Sequence, residues 1–223
     1  MLLFFRQSAA SDFNIDIGLI IVGGELCTDI IWCNDFTDKT LLSKDGGTTF
    51  EELSPFPALG RGLCGVFIDN TTFMVIGGYK FPTSYYAATY LLSINNDNLD
   101  ESTWGSGPPL TVGRAYHTCN VVTDCAGKRQ VVVVGGYAGS TSDYTNSVEI
   151  YDIDSGAWSQ GIFSSLLINL CQINKPILSI EGSDFPHKVY EHGSAYYQDS
   201  FVIVGGYGTR DGSSSAEALN TIY

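Results

Sequence analysis

Four short apolar runs, each closed by a pair of glycines, recur along the chain. They are Leu19-Ile20-Ile21-Val22-Gly23-Gly24, Phe73-Met74-Val75-Ile76-Gly77-Gly78, Val131-Val132-Val133-Val134-Gly135-Gly136 and Phe201-Val202-Ile203-Val204-Gly205-Gly206. A short, continuous, β-branched run predicts a strand covered on both faces. The glycines that follow allow the backbone to turn at positive φ or a neighbouring chain to come close. The rest of the unit repeats as well. A polar stretch leads to a second apolar strand, Val148-Glu149-Ile150-Tyr151 in the third unit, then to a turn at Asp154-Ser155-Gly156 and an aromatic, Trp158. Phe50 and Trp104 are the matching aromatics. Pro-containing connectors then end in Gly60-Arg61 and Gly113-Arg114, and a further strand leads back to the apolar run, with Cys64 and Cys119 at similar places on it.

The first glycines fall at 23, 77, 135 and 205, so the spacing runs 54, 58 and 70 residues. Tyr79, Tyr137 and Tyr207 follow three of the four pairs. This order of apolar strand, Gly-Gly-Tyr, Tyr-containing strand, Trp and arginine connector resembles the kelch repeat, whose period is about 50 residues. The first unit departs from it, with Glu25 in place of the Tyr and Ser43 where the third unit has Tyr151. It also carries Ser43-Lys44-Asp45-Gly46-Gly47-Thr48-Thr49-Phe50, which looks like an Asp-box, a hairpin in which the Asp accepts backbone N–H bonds and the aromatic packs underneath.

The resemblance implies an all-β fold, an incomplete kelch-type β-propeller of about three full four-stranded blades and a truncated fourth. The blades are expected near 5–53, 58–107, 113–161 and 188–223, in a single partial propeller spanning 1–223. An insertion near 162–187, with the apolar stretch Leu166-Leu167-Ile168-Asn169-Leu170-Cys171, falls outside the pattern. It reads equally as a partner-binding loop or as a gene-model artefact. A propeller closes with roughly four to eight blades. The expectation is therefore a fragment of a longer protein, or a ring that missing blades or a second chain completes.

Composition narrows the functional classes. The net charge is −13, which repels phosphate backbones and argues against nucleic acid. No apolar stretch is long enough for a membrane-spanning helix, and Met1-Leu2-Leu3-Phe4-Phe5 is too short for the apolar centre of a signal peptide. A soluble protein, cytoplasmic or secreted, is expected. Six cysteines stand at 27, 33, 64, 119, 125 and 171 without a CxxC pair. Cys27/Cys33 and Cys119/Cys125 read either as disulfides in an oxidising compartment or as buried thiols. A sequon at Asn70-Thr71-Thr72 leaves the compartment open.

No catalytic set stands out. The histidines are 117, 187 and 192, and His117 and His192 fall at comparable repeat positions, as structural or channel-lining residues would. There is no Gly-x-Ser-x-Gly elbow. A copper radical oxidase of kelch-like build needs two His, two Tyr and a Cys bonded to one Tyr, and no segment resembles that. A sialidase needs an arginine cluster to grip a carboxylate; the five arginines are 6, 61, 114, 129 and 210, and three of them are expected at one repeat position, as a symmetric scaffold would place them. No cofactor and no metal site is expected.

Binding is the better-supported class. In kelch proteins the position of Arg61 and Arg114 often faces the channel mouth and meets acidic peptides, so another protein or an acidic peptide is the expected partner. The alternative is that both arginines bond carbonyls of the connecting loop. His117, Lys80, Tyr85, Tyr86 and Tyr144 join them as candidate contacts, from the loop tips Lys80–Tyr86 and Ala138–Thr145. Rival readings are a propeller enzyme whose other blades hold the catalytic groups, and a disulfide-stabilised extracellular adhesion segment.

Overall fold

The computed structural model describes residues 5–6, 9–27, 33–80, 84–124, 126–138, 143–161, 188–197, 200–209 and 217–218. The chain separates into two compact units, Met1–Pro109 and Leu110–Tyr223. The expected insertion at 162–187, Cys125 and the loop-tip residues 81–83 and 139–142 lie outside the described residues.

The first unit holds two four-stranded antiparallel sheets. One is Ala10–Asn14, Gly18–Val22, Thr40–Ser43 and Glu51–Glu52; the other is Cys64–Phe67, Thr72–Ile76, Thr89–Ser93 and Thr103–Gly107. The second unit has a third such sheet, Thr118–Thr123, Arg129–Val134, Val148–Asp152 and Ala157–Gly161, and the first two strands of a fourth, Gly193–Tyr197 and Ser200–Val204. In every sheet spatial order equals chain order, so each is an up-and-down meander of the propeller-blade type. All four apolar runs are the second strand of a separate sheet. The architecture is all-β and that of an incomplete kelch-type propeller. Among the described residues the one helical turn is Leu99–Glu101, and no helix is long and apolar enough to cross a membrane.

The apolar runs of the second and third blades are covered on both faces, whereas Leu19 and Ile21 in the first blade are half-buried and Val204 in the fourth is 48% exposed. Phe73–Ile76 and Val131–Val134 have no exposed surface. In the first unit the apolar core joins Phe56, Leu63, Phe67, Phe73 and Leu92, with Trp104 and Tyr90 edge-on to Phe56 at 5.0 and 5.2 Å. Trp104 also donates its indole N–H to the Ser54 carbonyl at 3.1 Å, so its polar atom is satisfied while the ring packs. Trp158 is the counterpart, 5.1 Å from Tyr151. Neighbouring blades of this unit meet at their opening strands: a Cβ on Gly65 would lie 2.9 Å from that of Ala10, and the Phe67 amide donates to Asp12 Oδ2 at 2.9 Å.

The twin glycines turn the chain out of each blade. Both members have positive φ at all four sites, for example 65° and 94° at Gly135 and Gly136. A Cβ on Gly136 would lie 2.5 Å from the Ala115 carbonyl oxygen, too close for any other residue. Beyond the glycines the chain pairs again, in a small sheet at the end of the blade. In the first unit these rim pairings join Phe5–Arg6, Glu25–Cys27 and Cys33–Phe36, and then Tyr79–Lys80 and Ser84–Tyr85, with Arg61 bridged to Tyr79. In the second unit they join Arg114–Ala115, Tyr137–Ala138 and Asp143–Tyr144, and then Lys188–Tyr190, Tyr207–Thr209 and Glu217–Ala218. The connectors and the second-to-third-strand loops thus meet as one structural feature.

The hairpin after Ser43 is closed by Asp45. Its Oδ1 accepts from the Thr48 and Thr49 amides at 3.0 and 2.9 Å and from Ser43 Oγ at 2.8 Å, while Gly46 and Gly47 supply positive φ. These bonds, Thr49's foremost, hold the Asp45 carboxyl at about 2. Phe50 differs from expectation: it is 42% exposed instead of packed beneath the turn. At the step opposite Phe50's counterpart Trp158, the third blade has Tyr151 to pack on. The first blade has Ser43 there, engaged with the turn.

The cysteines at 64 and 119 are disulfide-bonded and not free thiols. They also stand one residue out of equivalence: Cys64 and Thr118 oppose Ile76 and Val134, the residues just before the glycines. Cys27 and Cys33 oppose each other across the first rim sheet.

Candidate functional site

The rim sheets gather most of the candidate residues, and their register decides which of them reach the surface. Arg61 opposes Tyr79, whereas Ala115, not Arg114, opposes Tyr137. Tyr190 opposes Tyr207. Arg61, Ala115 and Tyr190 are therefore equivalent, and Arg114 sits one position earlier. In an extended segment one residue reverses the side on which a chain points, and the two arginines have opposite fates.

Arg61 is one-third exposed, lies 5.6 Å over the Tyr79 ring and donates from Nη1 to Glu25 Oε1 at 2.8 Å. Glu25 is the residue that replaces the repeat's Tyr in the first unit, so that departure has a partner in the next blade. Lys80 is exposed beside them. Tyr85 packs on Tyr79 at 5.0 Å, and Tyr86 donates to the Leu59 carbonyl at 3.2 Å, with burial pushing its phenol up.

Two of the candidates lie inside the fold. Arg114 is 0% exposed. Its Nη2 donates to Glu149 Oε1 at 2.6 Å and to Ser147 Oγ at 2.9 Å, and its Nη1 to the carbonyls of Gly135 and Ser147 at 3.0 and 3.2 Å. Glu149, also 0% exposed, takes its remaining bonds from the Thr111 amide and hydroxyl, both at 2.7 Å. Burial pulls the guanidinium down from the ordinary arginine value and the Glu149 carboxylate opposes that pull. Arg114 thus bonds loop carbonyls and an internal acid, and offers nothing to a partner. His117 is likewise buried, with its Cβ and amide against the Gly136 backbone. Its counterpart His192 is bonded through Nε2 to Thr118 Oγ1 at 2.9 Å, and burial lowers its pKa to about 4.

Tyr144 belongs to a feature that the sequence alone did not reveal. In the second unit Tyr116, Tyr137, Tyr144, Tyr190 and Tyr207 form a continuous cluster, stacked from Tyr144 through Tyr190 to Tyr207 and edge-on or tilted at Tyr137. Tyr144 and Tyr190 lie nearly parallel, 8° apart with centroids at 4.7 Å; Tyr137 meets Tyr190 at 4.5 Å; and Tyr190 stacks on Tyr207 at 5.7 Å. Burial raises the phenols of Tyr137 and Tyr190, and the neighbouring hydroxyls add to the shift at Tyr137. The stack runs between the third and fourth blades, which are also joined by backbone bonds from Gly136 to Val189 and from Glu191 to Tyr116. Tyr116 and Glu191 both hold positive φ, 56° and 53°, where the second blade uses Gly62 at 65°. The visible signal was a Tyr at each of these loop positions; what was missing was the register that brings them together.

Among the described residues no cluster of His, Cys, Asp and Glu is placed to hold a metal ion. The Kelch motif family model matches residues 114–161, the third repeat, from Arg114 to the end of its fourth strand. No curated protein matches the chain.

Proposed function

We propose that the chain, whose third repeat matches the Kelch motif, is a protein-interaction module whose partner docks on the rim sheets at the ends of its blades and undergoes no chemistry there. The observation that carries this reading is the gathering of the connectors and the second-to-third-strand loops into rim sheets, with Arg61, Lys80, Tyr85, Tyr86 and Tyr144 on them. Half-buried tyrosines beside charged residues have the composition of binding surfaces. The blade interior, by contrast, is committed to packing. An acidic peptide is a poor partner for this rim: Arg114 is consumed inside and Arg61 is already paired with Glu25.

A photo-crosslinking residue placed at Lys80, and in a second protein at Ser159 on an outer strand, tests the assignment. Discrete protein adducts from position 80, reduced by Tyr85→Ala, support it. Adducts from position 159 alone, or from both equally, refute it.

The disulfide-bonded Cys64 and Cys119 favour a second reading, an extracellular adhesion segment using the same rim. Thiol titration of the unfolded, unreduced protein decides between compartments. Six reactive thiols indicate a reducing one, and fewer indicate an oxidising one.

A further inference from the structure

The hairpin between the first and second strands of the second blade lies at the end of the blade remote from the rim. Cys64 opposes Ile76, the residue before the glycines, and Phe67 opposes Phe73 at the other end of the same two strands. Asp69, Asn70 and Thr71 turn the chain beyond Phe67, and all three are exposed. Their turn is tightly bonded. The Ile68 amide donates to the Thr72 carbonyl at 3.0 Å, and Asp69 Oδ1 accepts from the Thr71 amide at 2.7 Å and from its hydroxyl at 3.0 Å. The strand Thr72–Ile76 sets this tip roughly 13 Å from the twin glycines, at about 3.3 Å per residue.

Asn70 opens Asn70-Thr71-Thr72, the one Asn-x-Ser/Thr triplet in the sequence. Such a triplet accepts an asparagine-linked glycan when it lies on the surface of a chain that enters the secretory route. Both conditions have an observation here. The tip is exposed, and Cys64 and Cys119 are disulfide-bonded, a state that persists in oxidising compartments. The contacts of the amide are compatible with the modification. Asn70 Nδ2 donates to Asp16 Oδ2 at 3.1 Å, and Asn70 Oδ1 accepts from Asn14 Nδ2 at 3.5 Å. A primary amide has two N–H donors, and a glycosylated one keeps a single donor for Asp16.

We propose that Asn70 carries an N-linked glycan, placed on the blade end away from the rim so that the rim of this unit stays open to a partner. The donor is a lipid-pyrophosphate-linked oligosaccharide. Asn70 Nδ2 bonds to C1 of its first sugar, the C1–O bond to the pyrophosphate breaks, the bonding electrons leave with the lipid pyrophosphate, and Nδ2 releases one proton to solvent. The proposal rests on the oxidising-compartment reading of the disulfide-bonded cysteines.

Peptide mass spectrometry of the full chain isolated from its own cells, before and after enzymatic release of N-glycans, tests it. The peptide spanning Asn70 is expected to be glycosylated, and release is expected to convert the position-70 amide to the acid. In the full chain routed through a secretory host, Thr72→Ala is expected to abolish the glycan, while Thr72→Ser and Thr71→Ala retain it; the retaining pair separates loss of the acceptor triplet from failure to fold. An unmodified Asn70 in the native protein overturns the proposal, as does a glycan that persists in Thr72→Ala. Partner cross-links at position 80 that strengthen once the glycan is removed would overturn its placement away from the rim. Thiol titration separates the premises. Fewer than six reactive thiols with a bare Asn70 leaves the compartment standing and removes the glycan. Six reactive thiols remove both and leave the rim-binding function untouched.

Discussion

Arg114 and Glu149 show how one pair of residues can set the local structure of a blade. Each is fully buried, and together they satisfy the carbonyls of Gly135 and Ser147 and the amide of Thr111. Removing one partner of such a pair strands the other charge in a dry interior, a loss of about 3–5 kcal/mol. Arg114→Met is expected to cost that much in urea unfolding. Arg61→Met, at a partly exposed and screened pair, is expected to cost no more than about 1 kcal/mol. Replacing both Arg114 and Glu149 by apolar residues recovers much of the loss, because no charge is then left unpaired. His192 adds a pH dependence. Its buried ring stays neutral down to about pH 4, while the unfolded chain takes up a proton near 6.5. The unfolded state therefore binds more protons between those values, and stability falls as pH drops from about 6.5 to about 4, by up to about 3 kcal/mol. His192→Gln is expected to flatten that part of the stability–pH curve; an unchanged slope would show that the ring is not the titrating group.

At the scale of the element, the twin glycines make the blade and the rim compatible. The second strand ends, both glycines adopt positive φ, and the chain passes close enough to the connector for a Cβ to collide with it. Gly136→Ala puts a methyl 2.5 Å from a carbonyl oxygen in a left-handed backbone, and is expected to destabilise the third blade by more than 2 kcal/mol, about what strain of this kind costs. Gly127→Ala, also at positive φ but with open space around it, is expected to cost less, and circular dichroism melts of the two variants provide the comparison. These elements were legible in the sequence because each apolar run and its glycines lie within six consecutive residues. The strand order was legible for the same reason. What was not legible was register. The Gly-Arg dipeptides at 60–61 and 113–114 read alike, yet the left-handed residue that follows is Gly62 in one and Tyr116 in the other, separated from its arginine by a different count. That single residue sends Arg61 to the rim and Arg114 to the interior. Glu149 carried a signal, a charge in an otherwise apolar third strand, but its partner could be identified only once the connector was seen beside it. The tyrosine stack was hidden similarly, since Tyr144 and Tyr190 touch across two blades and are 46 positions apart.

For the whole molecule, the division of labour is between blade and rim. The blades of the second and third repeats bury Phe73–Ile76 and Val131–Val134 entirely, while the rim sheets carry half-exposed tyrosines and charged side chains. Hydrogen exchange of the full chain, free and bound to the protein that cross-linking at position 80 captures, tests this most directly. The account predicts slowed exchange on binding in the rim segments at 79–80, 84–86, 137–138 and 188–190, with the outer strands Thr103–Gly107 and Ala157–Gly161 unchanged. Protection confined to those outer strands, with the rim exchanging as in the free chain, would contradict it.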